Sequence, residues 1–234
     1  LFGMLEPGTA AIVNADDPRG REIAEGTLAS VLTYGTVAGA DVRAREIRIG
    51  IRGTSFVLEH GGKRFDLHSP LIGRFNVANL LAATATGMAL GIAPEKTIEG
   101  ASKVARVPSR FEQIASPQGW TAVVDYAHTP DALDNCLRTI HELLPEGRRG
   151  RILTVFGCGG NRDAGKRPIM GKIASELSDE IIITSDNPRK EDPQSIIDQI
   201  RIGVTGNAVV RMEVDRRRAI VRALEKARSG DVVL

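Results

Sequence analysis

Four polar clusters in this chain combine residue types at spacings that can do chemistry. The first runs Gly157-Cys158-Gly159-Gly160-Asn161-Arg162-Asp163-Ala164-Gly165-Lys166-Arg167, between an apolar run (Arg151 to Phe156) and a helix with Pro168 in its first turn. Its Gly-x4-Gly-Lys spacing matches a phosphate loop up to Arg167, which stands where a magnesium-binding Ser or Thr is required. The dinucleotide fingerprint also fails, because position 162 is arginine rather than glycine. What remains is a glycine turn whose backbone N–H groups, beside Arg162, Lys166 and Arg167, suit an anionic ligand. A solvated basic helix start is the plainer alternative.

The second cluster is Asp186-Asn187-Pro188-Arg189, delivered by the apolar run Ile181 to Thr184. Arginine can grip a carboxylate bidentately while Asp and Asn accept from an ammonium, so the tetrad can read an amino-acid zwitterion. An ordinary Asx-Pro turn has the same composition. The third is Asp125-Tyr126-Ala127-His128-Thr129-Pro130, an acid at a strand's carboxyl end that can hold a ribose or a metal. His128 is either a general base or a hydrogen-bonding loop residue. In the fourth, Asn79 lies three residues after Asn76 and shares its helix face. Asn76 is expected to cap that helix, which leaves the Asn79 amide available to a nucleobase.

These clusters need elements to position them. Thr9 to Asn14 and Val31 to Tyr34 read as short strands, with a turn at Ala15 to Pro18 and a short helix over 19–28. From Asp41 to Leu67 the period is two, with Gly53-Thr54 and Gly61-Gly62 as separators, which predicts antiparallel hairpins. A helix is expected from Gly73 to Leu90, buried on more than one side because its alanines make most of it apolar. Another follows from Pro94 to about Val104.

Arg106 to Arg110 breaks the pattern, and the domains are placed at residues 1–107 and 108–234. Beyond it come a strand at Phe111 to Ala115, a buried strand at Trp120 to Asp125, and a helix N-capped by Thr129 with Pro130 at its first position. Helices over 193–204 and 216–228 flank a strand at Val209 to Val214. Alternating strands and helices predict an α/β fold with a doubly wound, mainly parallel sheet, whose ligands bind outside the strands' carboxyl ends.

Composition narrows the function class without naming it. The chain has 234 residues, 42% apolar and 26% charged, ordinary for a globular protein. A net charge of +2 gives no reason to expect nucleic acid or an anionic membrane as partner. Cys136 and Cys158, with no secretory leader or long apolar run, fit reduced thiols in a cytoplasmic protein. A reactive Cys158 is the sharp reading, and a small residue packed in a tight turn the expected one. The chain opens on Leu1-Phe2-Gly3 without an initiator Met and closes on an unfinished strand, Asp231 to Leu234, so a fragment is expected.

Five stretches, in register, resemble the Mur ligase family of ATP-dependent peptidoglycan amino-acid ligases. They are Asn14 to Pro18, Gly73 to Ala83, Arg106 to Glu112, Asp125 to Leu133 and Gly157 to Pro168. The resemblance covers essentially the whole chain. It implies the second half of a central ATPase domain with antiparallel strands, followed by a truncated Rossmann-like amino-acid-binding domain. It implies Asn79 as the adenine contact, Asp125 as the ribose contact and Arg110 as the hinge arginine reaching the ATP phosphates. Asp186, Asn187, Pro188 and Arg189, with Arg162, match the residues of members that bind meso-2,6-diaminopimelate.

The implied reaction joins that amino acid to UDP-N-acetylmuramoyl-L-alanyl-D-glutamate through an acyl phosphate, using ATP and Mg²⁺. The implied enzyme is cytoplasmic and monomeric. No catalytic group or metal ligand is assigned with certainty to these residues beyond the assistance of Arg110. The P-loop half, the UDP-binding domain and a further carboxyl-terminal segment are expected to lie outside the chain, which alone is expected to be inactive. Lysine-adding members, whose tetrad lacks the arginine, and a non-catalytic Rossmann-type binding module are the alternatives.

Overall fold

A computed structural model describes residues 2–50, 53–144 and 150–234. The chain forms two compact units, Leu1–Arg106 and Val107–Leu234.

In the first unit, β1 (Ala10–Asn14), β2 (Ser30–Gly35), β3 (Val42–Gly50), β4 (Gly53–His60) and β5 (Lys63–Ser69) form one sheet in chain order. The first three strands run parallel, and β3, β4 and β5 pair antiparallel. Gly53 and Thr54 do not separate strands as expected. They open β4, where Thr54 pairs with both Ile49 and Ser69. A Cβ at Gly53 would lie 2.2 Å from the Ser69 carbonyl oxygen, so the glycine allows strand approach within the sheet. A register shift between Arg45 and Arg48, with Glu46 at φ 55, explains why the alternation breaks there.

Helix α1 (Gly20–Ala24) links β1 to β2, and α2 (Arg74–Ala89) and α3 (Pro94–Lys103) complete the unit. Val77, Leu80, Leu81 and Ala85 of α2 meet Val42, Phe56, Leu58 and Leu67 of the sheet in one core. Each such buried Val, Leu or Phe side chain is worth about 1.5–3 kcal/mol. The alanines of α2 do not create a second buried face: Ala83 and Ala89 are exposed, and they serve as helix formers.

In the second unit, β6 (Glu112–Ala115), β7 (Thr121–Val124), β8 (Ile152–Phe156), β9 (Glu180–Thr184), β10 (Val209–Glu213) and β11 (Val232–Val233) form a sheet in the order β10-β9-β8-β11-β7-β6. Only β6 runs antiparallel to its neighbour. Strand β9 is buried at every position, as the continuous apolar run of a central parallel strand requires. Strand β7 is less buried than expected, with only Val123 fully covered, because Val124, and Ile114 of the adjacent β6, wall an open cleft.

Helices α4 (Pro130–Leu143), α5 (Lys166–Leu177) and α6 (Pro193–Ile202) pack in series, α4 on α5 and α5 on α6. Helix α7 (Arg216–Lys226) covers the other sheet face, where Ala219 and Ala223 meet Leu153, Ile182 and Val233. From β8 the chain winds outward through β9 to β10, then returns to place β11 on the opposite side of β8. The order therefore reverses between β8 and β11, the switch point where an open α/β sheet leaves a crevice.

Candidate functional site

A cleft of about 1000 Å³ opens at that crevice, outside the carboxyl ends of β7, β8, β9 and β11. Its polar wall comes from the three loops after β7, β8 and β9, and includes Asp125, Arg162, Lys166, Asp186, Asn187 and Arg189. Its apolar floor includes Val155, Phe156, Ile220 and Leu224.

The loops after β8 and β9 are tied together by backbone and side-chain hydrogen bonds. The Gly160 N–H donates to the Asn187 carbonyl at 2.8 Å, and the Arg189 guanidinium donates to the Gly160 carbonyl. The Lys190 N–H donates to the Asn161 side-chain oxygen at 3.1 Å, and the Asn161 N–H donates to Glu191. Glycine is required where the chains touch: a Cβ at Gly157 would lie 2.2 Å from the Thr184 carbonyl oxygen, and one at Gly160 1.9 Å from that of Pro188.

Part of the glycine turn is therefore not free to cradle an anion as the sequence suggested. The N–H groups of Gly160 and Asn161 are spent on the neighbouring loop, and that of Gly165 on Asp163. The fixed backbone leaves side chains available instead. Arg162 is exposed and makes no hydrogen bond or ion pair with the described residues, and the side chains of Asp186 and Asn187 make none either. Arg189 keeps part of its guanidinium for a ligand. Two cations and a carboxylate–amide pair thus stand on one cleft, a donor and acceptor set suited to an amino-acid head group.

Arg167 belongs elsewhere. It was grouped with the ligand-facing cations, but it is 1% exposed and held by Glu191 at 2.8 Å and Gln199 at 2.7 Å. Hydrogen bonds from Arg167, then from the Asn161 N–H, hold the Glu191 carboxyl down at about 2. Lys166 lines the cleft and donates to the His128 carbonyl at 2.7 Å, tying the loop after β8 to the loop after β7.

Asp125 and Arg110 are brought together at the other end. The Asp125 carboxylate accepts from the Phe111 N–H at 2.7 Å, and the Arg110 guanidinium sits 5.2 Å from the Tyr126 ring centroid. A carboxylate offers about four lone-pair sites, so Asp125 retains capacity for a ribose hydroxyl. His128 lies against Tyr126, with Nδ1 3.1 Å from the Tyr126 carbonyl oxygen, which fits a hydrogen-bonding loop residue. Thr129 caps α4 as expected, accepting from the Ala132 N–H.

Asn79 is in the first unit, exposed on α2, and its amide donates to the Asn76 side-chain oxygen at 3.2 Å. Asn76 is not the cap: Gly73 occupies that position, and the Asn76 amide reaches back to the Ile72 carbonyl at 2.8 Å. This buried anchor fixes the residue that orients Asn79. Both thiols are free and buried, and burial first of all pushes Cys158 up to about 11, against the pull of Lys166 and Arg167. Cys158 packs its sulfur against Met170, so it is not a reactive thiolate.

Sequence reasoning missed Arg216, which lines the cleft from the first turn of α7 and donates to the Ser185 carbonyl at 3.4 Å. A signal existed: Arg216, Arg217 and Arg218 crowd a helix start whose dipole disfavours cations. Among the described residues no group of three or more His, Cys, Asp or Glu is placed to hold a metal ion, and no helix is long and apolar enough to cross a membrane.

Comparison with known proteins agrees with this architecture. Residues 109–234 match the family described as "Mur ligase, glutamate ligase domain", and residues 1–87 match "Mur ligase middle domain". The chain is 44% identical, over 97% of its length and 46% of the relative's, to the UDP-N-acetylmuramoyl-L-alanyl-D-glutamate–2,6-diaminopimelate ligase of Solibacter usitatus. It is 46% identical to the protein of the same name from Gloeobacter violaceus, covering 100% of the chain and 47% of that relative. A solved structure of a ligase of that name superimposes with a TM-score of 0.59 at 34% identity, covering 96% of this chain and 47% of that one. The MurF ligase from Thermotoga maritima in complex with ADP shares the fold, with a TM-score of 0.71 at 17% identity over 96% of this chain and 49% of its own. The chain thus spans about half the length of the relatives it matches. With both units matched in order and the cleft at the switch point between β8 and β11, the chain belongs to the Mur ligase family.

Proposed function

We propose that this chain forms the amino-acid-binding unit and part of the ATP-binding domain of a ligase that adds meso-2,6-diaminopimelate to UDP-N-acetylmuramoyl-L-alanyl-D-glutamate in peptidoglycan precursor synthesis. The observation that carries the proposal is the convergence of Arg162, Asp186, Asn187 and Arg189 on one cleft, with side-chain ends left available by a backbone-held loop pair. Diaminopimelate presents a second amino-acid head, and Arg162 and Arg189 are placed to pair its carboxylate while Asp186 and Asn187 accept from its ammonium. A lysine-adding enzyme would leave both arginines without that second carboxylate to pair with.

In this reading Asp125 holds the ribose of ATP, Arg110 approaches its phosphates and Asn79 meets the adenine. The D-glutamyl carboxylate attacks the γ-phosphorus of ATP and releases ADP, and the incoming amine then attacks the acyl phosphate and expels inorganic phosphate to leave the amide. The role of these residues is to hold the amine at the right place and keep water from the activated carboxylate. Mg²⁺ accompanies the nucleotide and neutralises its charge, with no ligand assigned among these residues. The enzyme acts on small molecules in the cytoplasm as a monomer, without nucleic acid or membrane partners.

The test is Arg189→Ala in the enzyme that contains this chain. Loss of one partner of a hydrogen-bonded charge pair costs about 2–3 kcal/mol, so the KM for diaminopimelate rises roughly 30- to 150-fold while that for ATP stays put. An unchanged diaminopimelate KM would sink the assignment.

A further inference from the structure

Two charged residues beside the cleft are spent on each other. Arg167, the second residue of α5, donates through Nη1 to Glu191 Oε2 at 2.8 Å and to Gln199 Oε1 at 2.7 Å. Through Nη2 it donates to Glu191 Oε1 at 3.0 Å and to the Gly159 carbonyl at 3.3 Å. The same Glu191 Oε1 accepts from the Asn161 N–H. Glu191 lies two residues beyond Arg189, and Asn161 immediately precedes Arg162. One carboxylate therefore fixes the backbone beside each of the two cations offered to the cleft.

Burial of an ion pair is weak support for a purely stabilising role, since an apolar pair of similar volume often does as well. A fork-to-carboxylate pair adds fixed geometry in two bonds. Geometry is also what these loops need, because Asn161 and Arg189 both hold left-handed backbone, at φ 50 and φ 51. Non-glycine residues keep that conformation only where surrounding bonds enforce it. Here the enforcing bonds are those of Glu191 to Asn161, of Asn161 to Lys190, and of Gly160 to Asn187 and Arg189.

We propose that Arg167, Glu191 and Asn161 are positioning residues that set the spacing of Arg162 and Arg189, and so govern affinity for the incoming amino acid without touching it. The inference rests on the diaminopimelate reading above. None of the three sits free on the cleft, so a change at any of them acts through the two arginines. Glu191→Gln keeps an acceptor for Asn161 but turns an amide N–H toward the Arg167 fork. Asn161→Gly keeps the left-handed backbone at no steric cost and removes only the acceptor for Lys190.

The experiment compares Glu191→Gln, Asn161→Gly and Arg189→Ala in the enzyme containing this chain, with thermal melting of each variant. Expected for the first two is a rise of about tenfold in the KM for diaminopimelate and a smaller preference for diaminopimelate over L-lysine. Turnover number and the KM for ATP are expected to stay within about twofold. If Glu191→Gln does not fold, Asn161→Gly carries the test alone. Unchanged diaminopimelate KM in the positioning variants, with a large rise in Arg189→Ala, overturns this inference and leaves the proposed function standing. Equal losses in every parameter overturn it too, since they describe a general fault in folding. No change in Arg189→Ala removes the functional reading and this inference together.

Discussion

The turn after β1 and the loop after β9 are built from the same residue types and do opposite things with them. Both follow a parallel strand, and both combine Asp, Asn and Pro: Asn14-Ala15-Asp16-Asp17-Pro18 in one, Asp186-Asn187-Pro188-Arg189 in the other. In the first, side chains do the holding. The Asp16 carboxylate accepts from the Thr36 N–H at 2.8 Å and the Val37 N–H at 3.0 Å, Asn14 accepts from the Asp16 N–H, and Asp17 from the Arg19 N–H. In the second, the backbone and the neighbouring loop do the holding, and Asp186 and Asn187 point their polar ends at a cleft. Composition alone does not distinguish a structural turn from a recognition loop. What distinguishes them is whether another segment relieves the side chains of the structural task.

Paired substitutions break or sharpen that contrast. Asp16→Ala leaves the Thr36 and Val37 N–H groups without their acceptor and is expected to cost the first unit about 2 kcal/mol. Hydrogen exchange of β1 and β2 amides would report it, with no effect on the diaminopimelate KM. Asp186→Ala is expected to change stability by less than about 0.5 kcal/mol while weakening amino-acid binding. Equal destabilisation by the two substitutions would erase the distinction.

The loop after β7 is intermediate, because Asp125 is both a structural acceptor and a cleft residue. Removing its bond from Phe111 is expected to cost about 1 kcal/mol. Asp125→Ala in the longer enzyme should therefore lower the melting temperature modestly and also raise the KM for ATP. A change in stability alone would assign Asp125 to the first class, with Asp16.

These contrasts show which parts of the molecule were legible in its sequence. The Thr129 cap and Pro130 were, because a cap is made within one turn of chain. So were β8 and β9, whose apolar runs have the length of buried strands. Gly53, Gly157, Gly160 and Arg167 were misread because their reasons lie across the fold. Gly53 meets Ser69, Gly160 meets Pro188, and Arg167 meets Glu191, partners that spacing along the chain does not reveal. Asn76 was misread more locally: a polar residue near a helix start resembles a cap, but the real cap position is Gly73 at φ 105. Arg216 was overlooked although its signal was local, three arginines against a helix dipole.

The smallest effect near neutral pH, and the last test of the contrast, is acid. In the second unit, burial works against ionisation of Asp231, yet hydrogen bonds from the Arg151 side chain and from the Arg151 and Arg228 N–H groups hold its carboxyl below the ordinary value. Burial likewise opposes Glu180, and Lys226 and Arg211 win against it. Glu191 is held at about 2 by Arg167 and the Asn161 N–H, but it is partly exposed and, like other solvent-screened pairs, adds little. A carboxyl held low in the folded state contributes stability in full above its unfolded value, near 4, and loses it as pH falls toward the folded value. In the first unit the carboxyls held low are exposed: Asp41, chiefly by Thr33, and Glu99, at about 2 beside Lys103 and Lys96. Surface pairs of the second kind are screened by salt and contribute little. From pH 8 to about 5 neither unit should change. Between about pH 4.5 and 2.5 in moderate salt, hydrogen-exchange protection should fall further in β8 and β9 than in β3 and β4. An equal or opposite order would mean that the paired carboxylates at the amino ends of β9 and β11 do not carry the acid sensitivity assigned to them.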